Sequence, residues 1–551
     1  KLNNDKLGSY SLASVELAVD MDRNEQISFN GDDDKTTQED PYEFWLNDDR
    51  DSGDENEADD LDPSEGFPDY RGVDISSVRD LEDFSRIDLK IPSALMKSLK
   101  EGTIQLGFYF KEATGDPEIR LWENRSPDGG NDYLKDEDIA RTYKFVQSIL
   151  HVTKENTSQT IATEFWSRDS VDVDSGVVHF LFEGAGIGKG KLVAKFTKGF
   201  SAEVGNLWIE IKDIKEMYER YEVSVGGSFS GGNIDAINAI TPEQITSSYL
   251  SYGGFSYEDP ENDEEKDYIL FVHGWRMKPH EKESFSETAY KRLFWQGYKG
   301  RFGTFYWPTE WTFRHEYIPE NPPNLTDPHN YGRSERKAFN SAPALSRLIY
   351  DLNAPDKYNG RVRVMAHSMG NMVASEALRI GRYSGDSRRH LHSYACMQSA
   401  TVSHSYSALS ETMSLADLGP SYIGWGISDP ETPNVYASYP TSTSGIPLDG
   451  TGLPYFKEIG GAVDNDIINL YNETDGATTL GWIYNQWSKP DLYYDYEDVA
   501  FDGSSEKFFT YDPIGPTFEV LNFPVDKYEI FACAAQAHSR ALGACPSDDA
   551  V

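Results

Sequence analysis

Cysteine is scarce in this sequence, which holds only Cys396, Cys533 and Cys545 among 551 residues. Three cysteines cannot all pair, so a disulfide framework is excluded, although Cys533 and Cys545 could pair with each other. Cys396 stands in an apolar run, so we expect it to be a small buried side chain. The chain also lacks an uninterrupted apolar run of ~18 residues, so we expect no membrane insertion.

Positive charge is also in short supply, with 51 Lys and Arg against 92 Asp and Glu and a formal net charge of −41. A surface of this sign repels nucleic acid and anionic membranes, which argues against both as partners. It suits a saline medium or a protein that binds cations. We therefore expect an extracytoplasmic protein, secreted or on the cell surface. No signal peptide is visible at Lys1, as expected of a mature or trimmed product.

Acidic residues concentrate near the N-terminus, where residues 20–65 carry 19 acidic and three basic side chains. Such a composition is typical of a solvated or disordered segment, but if the run is ordered it needs counter-charge. Calcium is the usual counter-ion outside the cell, and alternating oxygen-bearing side chains can face one ion. Glu25 stands where an EF-hand requires glycine, so the loop is not an EF-hand. The predicted ligands of a structural Ca²⁺ are Asp20, Asp22, Asn24, Gln26, Asp48, Asp49 and Asp51.

Hydrophobic patterning divides the chain into four parts. An acidic, possibly calcium-binding segment (1–70) precedes alternating runs that predict a β-sandwich-like accessory domain (71–222). The stretch 223–265 is first rich in Gly and Ser and then acidic, a composition typical of a linker. Apolar strands then alternate with helices, which predicts an α/β domain with a mainly parallel sheet (266–545). An aromatic-rich insertion at about 402–462 could form a lid, line a pocket or be an ordinary ordered loop.

The strongest chemical signal is Ala366-His-Ser-Met-Gly370, which follows a predicted strand and opens a predicted helix. This context is typical of a nucleophile elbow, a tight turn that lifts a serine off the sheet. Small residues are needed on both sides of the serine, and Ala366 stands where glycine is commoner. We predict that Ser368 is the nucleophile and that the backbone N–H of Met369 faces the developing oxyanion.

The second signal is Phe271-Val-His-Gly-Trp275, at the end of the first predicted strand of the same domain. A His-Gly turn at this place commonly supplies the other half of an oxyanion hole. We therefore predict the backbone N–H of Trp275 as the second donor. Together, two such donors stabilise the transition state by several kcal/mol. His273 is expected to hold the loop and not to transfer protons.

The catalytic base must be a histidine. In α/β domains that carry a nucleophile elbow, the order of the catalytic residues along the chain is Ser, acid, His. The histidines after Ser368 are His390, His392, His404 and His538. Only His538 also follows the strand-and-acid segment 467–475, so we predict the triad Ser368, Asp475 and His538. Glu473 and Asp466 are alternative acids, and His404 is the alternative base. A helix starting near residue 526 would make His538 a mid-helix residue on an apolar face, as is typical of a core histidine.

The segment from Phe271 to Leu378 resembles bacterial α/β-hydrolases described as esterase/lipase-like proteins. The matching residues are Phe271–Trp275, Tyr306–Pro308, Ala342–Leu345 and Ala366–Asn371. The resemblance implies an α/β-hydrolase domain and hydrolysis of a carboxylic ester, either small or polymeric.

Such a triad works through an acyl-enzyme and needs no cofactor. An amidase, a peptidase or an acyltransferase would use the same triad. A binding or adhesion protein with an inactive hydrolase domain is the alternative outside enzymes.

Overall fold

A computed structural model describes most residues of six segments: 15–47, 81–226, 240–252, 263–309, 328–397 and 457–470. The described strands are β1 (Glu16–Ala18), β2 (Tyr42–Trp45), β3 (Phe84–Lys90), β4 (Leu106–Glu123), β5 (Leu150–Val152), β6 (Val177–Phe196), β7 (Ala202–Lys212), β8 (Glu219–Val225), β9 (Ile245–Tyr252), β10 (Tyr268–Val272), β11 (Arg301–Tyr306), β12 (Val362–His367), β13 (Ser393–Met397) and β14 (Ile467–Leu470). The described α-helices are α1 (Ser93–Lys100), α2 (Pro279–Trp295), α3 (Pro328–Leu352) and α4 (Gly370–Ser384). Within these segments, no helix is both long enough and apolar enough to cross a membrane.

The described residues fall into two compact units. Those up to residue 217, together with 291–298, form the first unit, and the others form the second unit. Helix α2 therefore begins in the second unit and ends in the first.

The first unit contains a seven-stranded sheet in the order β1-β3-β6-β4-β5, with β7 paired to β6 and β2 paired to β7. All these pairings are antiparallel except β2 with β7. Strands β4 and β6 are 18 and 20 residues long, and β-bulges interrupt their pairing, which lets long strands bend. The strands thus join one sheet in the described residues, and the predicted β-sandwich is not confirmed.

The second unit contains another seven-stranded sheet, in the order β14-β13-β12-β10-β11-β8-β9. Strand β10 lies parallel to β11 and β12, β11 to β8, β12 to β13, and β13 to β14. Only the edge strand β9 is antiparallel, to β8. All five residues of β10 are buried, because helices cover a parallel sheet on both faces.

The predicted linker at 223–265 is wrong in part, because the end of β8 and all of β9 belong to this second sheet. Strand β9 reads Ile-Thr-Ser-Ser-Tyr-Leu-Ser-Tyr, and most of its residues are exposed. A hydroxyl-rich strand at a sheet edge resembles a linker in composition, because it buries little apolar surface. The second unit thus begins near Tyr218, well before the predicted boundary at residue 266.

Candidate active site

Ser368 occupies a sharp turn between the end of β12 and the start of α4. Its φ is 50°, in the left-handed region that residues other than glycine rarely adopt. Its N–H donates to the carbonyl of Met397 at 3.0 Å, which ties the turn to the end of β13. Strained backbone of this kind persists only where its surroundings impose it, and it is concentrated at functional sites. The geometry is that of a nucleophile elbow.

The elbow lies directly against the turn that follows β10. A Cβ on Gly370 would lie 2.5 Å from the carbonyl oxygen of His273 and 2.6 Å from that of Val272. A Cβ on Gly274 would lie 3.0 Å from the Cβ of Ser368. The structure therefore brings together the two sequence motifs, which stand about a hundred residues apart in the chain. Glycine is required at position 370, where a Cβ would overlap two backbone carbonyl oxygens, whereas a Cβ on Gly274 would crowd its neighbours by a few tenths of an ångström.

His273 is fully buried, and its ring nitrogens are both engaged. Its Nδ1–H donates to the carbonyl of Gly274 at 2.8 Å, and its Nε2 accepts the N–H of Trp307 at 3.1 Å. Trp307 returns a bond from its indole Nε1–H to the carbonyl of His273, at 2.8 Å. An imidazole that accepts at Nε2 and donates at Nδ1 is neutral and has no lone pair left for a proton. His273 thus holds the loop, in the role that the sequence predicts.

Trp275 and Met369 carry the predicted oxyanion donors, and each is next in sequence to one side of the contact between Gly274 and Ser368. Trp275 lies one residue after Gly274, and its indole Nε1–H donates to Ser334 Oγ of α3 at 2.9 Å, which fixes the ring. Met369 follows Ser368 directly and caps α4 in a fully buried position. The indole of Trp275 and the side chain of Met369 are thus held by their surroundings, and the two oxyanion donors stay a prediction.

Two of the four downstream histidines are described, and neither can reach the nucleophile. His392 bonds to Asn465, and His390 lies 3.8 Å from Asp464. Both precede β13, which runs parallel to β12, whereas Ser368 follows β12. They therefore lie at the N-terminal ends of these parallel strands, whereas Ser368 lies at the C-terminal end. At ~3.3 Å per residue over five residues, the two ends are about 17 Å apart.

The other members of the predicted triad lie outside the described residues. These are His538 and Asp475, together with the alternatives His404, Glu473 and Asp466. Each assignment stays a prediction, and the exclusion of His390 and His392 leaves His538 and His404 as the downstream candidates for the base.

The sequence motif did not reveal a buried support of the elbow formed by Asn371 and Tyr394. Asn371 Nδ2 donates to the carbonyls of Ser368 and Met397, at 3.0 and 3.3 Å, and Tyr394 O–H donates to Asn371 Oδ1 at 2.8 Å. Asn371 directly follows the Ala366–Gly370 motif, so the sequence could have suggested it as a support of the turn. Its partner lies 23 residues away on the neighbouring strand, so only the fold reveals the pair.

Cys396 lies on the same strand as Tyr394 and is buried, as the apolar run predicts. Burial raises the pKa of its thiol to about 12. The thiol is therefore protonated at neutral pH, and Cys396 is not a rival nucleophile.

The acidic loop of the first unit brings Asp20 and Asp22 together with Asp34, which the sequence did not suggest as a ligand. One carboxylate oxygen from each lies within 4.8 Å of the others. Asp20 accepts a bond from Arg86 at 2.6 Å, and burial raises the pKa of Asp20 to about 6. Arg86 thus supplies part of the counter-charge that the sequence assigned to a cation.

The remaining predicted calcium ligands divide into two groups. Asn24 and Gln26 lie in the same turn, where Asn24 Oδ1 accepts the N–H of Gln26 at 2.8 Å. Asp48, Asp49 and Asp51 lie outside the described residues. The calcium site therefore stays a prediction.

Residues 258–391 match a family model described as "Alpha/beta hydrolase of unknown function (DUF900)". The matched segment runs from before β10 through α4, so it contains both the Gly274 turn and Ser368. No curated protein matches the chain. The match confirms the α/β-hydrolase resemblance of the C-terminal half.

Proposed function

We propose that this α/β-hydrolase is a serine-dependent carboxylic-ester hydrolase that acts through an acyl-enzyme. The observation that carries the proposal is the backbone of Ser368, left-handed at φ 50° between β12 and α4 and packed against Gly274. A non-glycine residue adopts this conformation at a cost of about 1–3 kcal/mol. At this place, between a parallel strand and a helix, such a turn presents the Ser368 hydroxyl above the sheet, as a nucleophile elbow does.

In the proposed reaction, Ser368 Oγ attacks the acyl carbon while its proton passes to the base, for which His538 is the candidate. The carbonyl oxygen becomes an oxyanion and accepts bonds from the N–H groups of Met369 and Trp275. Collapse of the tetrahedral intermediate breaks the ester C–O bond, and the base returns the proton to the leaving alcohol. Water then attacks the acyl-enzyme by the same route and releases the acid and free Ser368.

An amidase, a peptidase or an acyltransferase would use the same groups, because the leaving group and the acceptor differ but the acyl-enzyme does not. Assays on p-nitrophenyl esters of short and long chain, beside the matching anilides, separate these reactions. We expect turnover of the esters and little or none of the anilides. Turnover of the anilides at a comparable rate would assign an amidase instead.

A fluorophosphonate probe tests the proposal directly, because it reacts only with an activated serine. We expect labelling of the wild type at Ser368, identified by peptide mass spectrometry, and no labelling of Ser368→Ala. Ser384→Ala is the matched control, since Ser384 lies on the same helix but is exposed at its far end. Absence of labelling in the wild type would favour the binding or adhesion alternative. Separate His538→Ala and His404→Ala variants identify the base by which one abolishes labelling.

A further inference from the structure

The side chain of Asn371 is completely buried in the first turn of α4, beneath the elbow. Its Nδ2 donates to two carbonyls, and its Oδ1 accepts the hydroxyl of Tyr394. Carbonyl oxygens only accept, so the NH₂ end of the amide must face the elbow and the oxygen end must face Tyr394. The neighbours therefore allow one orientation of this amide.

The carbonyl of Ser368 is held by two donors from Asn371. Besides the side-chain bond at 3.0 Å, the backbone N–H of Asn371 donates to it at 3.1 Å. The carbonyl of Met397 likewise accepts from both Ser368 N–H and Asn371 Nδ2, at 3.0 and 3.3 Å. The strained turn is thus tied to its own helix and to the adjacent strand at the same point.

The fixed carbonyl has a consequence for the next N–H. A peptide unit is planar and trans, so its C=O and its N–H point in opposite directions. Holding the carbonyl of Ser368 toward Asn371 therefore directs the N–H of Met369 away from Asn371. That N–H is the predicted oxyanion donor, so the Asn371 side chain, buried beneath the turn, helps to set its direction.

We propose that Asn371, oriented by Tyr394, is a positioning residue that aims the N–H of Met369 at the oxyanion. This inference rests on the proposed function and adds a residue pair to it. Asn371 acts on the transition state more than on the bound substrate, because the oxyanion exists only after the attack.

The test compares Asn371→Ala, Tyr394→Phe and the double variant by ester kinetics and by inhibition with an alkyl boronic acid, which forms a tetrahedral adduct on serine. Loss of one oxyanion donor costs about 10²–10³ in kcat, so a misdirected donor is expected to cost about 10–100-fold in Asn371→Ala. KM should stay within about twofold, and boronate affinity should fall in parallel with kcat. Tyr394→Phe should show a smaller loss, and the double variant should lose no more than Asn371→Ala, because Tyr394 acts through Asn371.

Asn353→Ala is the matched control. Asn353 is also buried, and its Nδ2 also donates to two backbone carbonyls, those of Arg388 and His390 at 3.1 and 2.7 Å. It stands at the end of α3, remote from the elbow. We expect this variant to lower the melting temperature as much as Asn371→Ala does and to leave kcat unchanged.

Three outcomes overturn the inference. Unchanged kcat and boronate affinity in Asn371→Ala, with wild-type probe labelling intact, would refute it while the proposed function stands. A kcat loss in Asn353→Ala as large as in Asn371→Ala would show that the loss comes from general destabilisation and not from positioning of the Met369 N–H. No probe labelling of the wild type would overturn the proposed function and the inference with it. If Asn371→Ala does not fold, Tyr394→Phe decides, since it keeps the ring and removes only the hydroxyl.

Discussion

A methyl group placed on Gly274 probes the contact between the two motifs most directly. In Gly274→Ala, the new Cβ would lie 3.0 Å from the Cβ of Ser368 and 3.0 Å from Nδ1 of His367. Ordinary contact begins at 3.4 Å, so the turn and the nucleophile must separate by about 0.4 Å. The change therefore displaces Ser368 from the predicted donor on Trp275 by a small and defined amount.

The size of the displacement sets the expected effect. A misplacement of ~1 Å at a reacting centre costs about 10²-fold in rate, so about 0.4 Å should cost roughly 5–10-fold in kcat. Overpacking of this degree should cost about 1–3 kcal/mol of folding free energy. Kinetics on a p-nitrophenyl ester and urea unfolding measure the two effects separately.

Gly360→Ala is the control for a generic glycine effect. Gly360 has φ +85°, and a Cβ added there would meet no atom within 4 Å. The Gly360→Ala variant should therefore lose only the about 1–2 kcal/mol of folding free energy that left-handed backbone costs a residue with a Cβ. It should lose stability and keep its kcat. Wild-type kcat in Gly274→Ala would show that the Gly274 turn does not constrain Ser368 as this reasoning requires.

Two further predictions concern a buried ion pair and a histidine with a lowered pKa, both in the second unit. Glu376→Gln leaves the buried guanidinium of Arg379 without the carboxylate that it contacts twice at 2.6 Å, and should cost about 3–5 kcal/mol in urea unfolding. Glu376→Leu combined with Arg379→Met should recover most of that loss, and a cost below about 1 kcal/mol for Glu376→Gln would contradict the reasoning. Burial lowers the pKa of His392 below its ordinary value of 6.5. The unfolded chain therefore binds a proton at His392 more readily than the folded chain does. The free energy of unfolding should fall as the pH drops from 6.5 toward the lowered pKa of the folded state. His392→Gln should flatten the fall in melting temperature over that range, and equal slopes in the two proteins would be evidence against this assignment.

The sharp strand-to-helix turn at Ser368 could be predicted because its signal is local. Five consecutive residues and the strand and helix beside them place Ser368, and no distant contact is needed. The His-Gly turn after β10 is local in the same way. Asp34 could not be predicted as a neighbour of Asp20, because 14 residues separate them and the turn between them decides which carboxylates meet.

The boundary between the units shows where sequence patterns fail. An uninterrupted apolar run identifies β10 in the sequence, and all five of its residues are buried in the structure. Strand β9 shows no such signal, because an edge strand with exposed Leu250 and Tyr252 gains its stability from pairing with β8 and not from burial. The same applies to Asn371 and Tyr394, whose pairing depends on β13 lying beside β12.

The last turns of α2 determine where the chain can be cut. Residues 291–298 belong to the first unit, where Lys291 is fully buried and contacts Asp83 at 2.6 Å, and Trp295 donates to the carbonyl of Glu82 at 2.9 Å. The chain therefore passes from one unit to the other and back, and no single cut separates them. Removing residues 1–222 would leave Lys291 without Asp83 and would also remove four of the seven residues of β8.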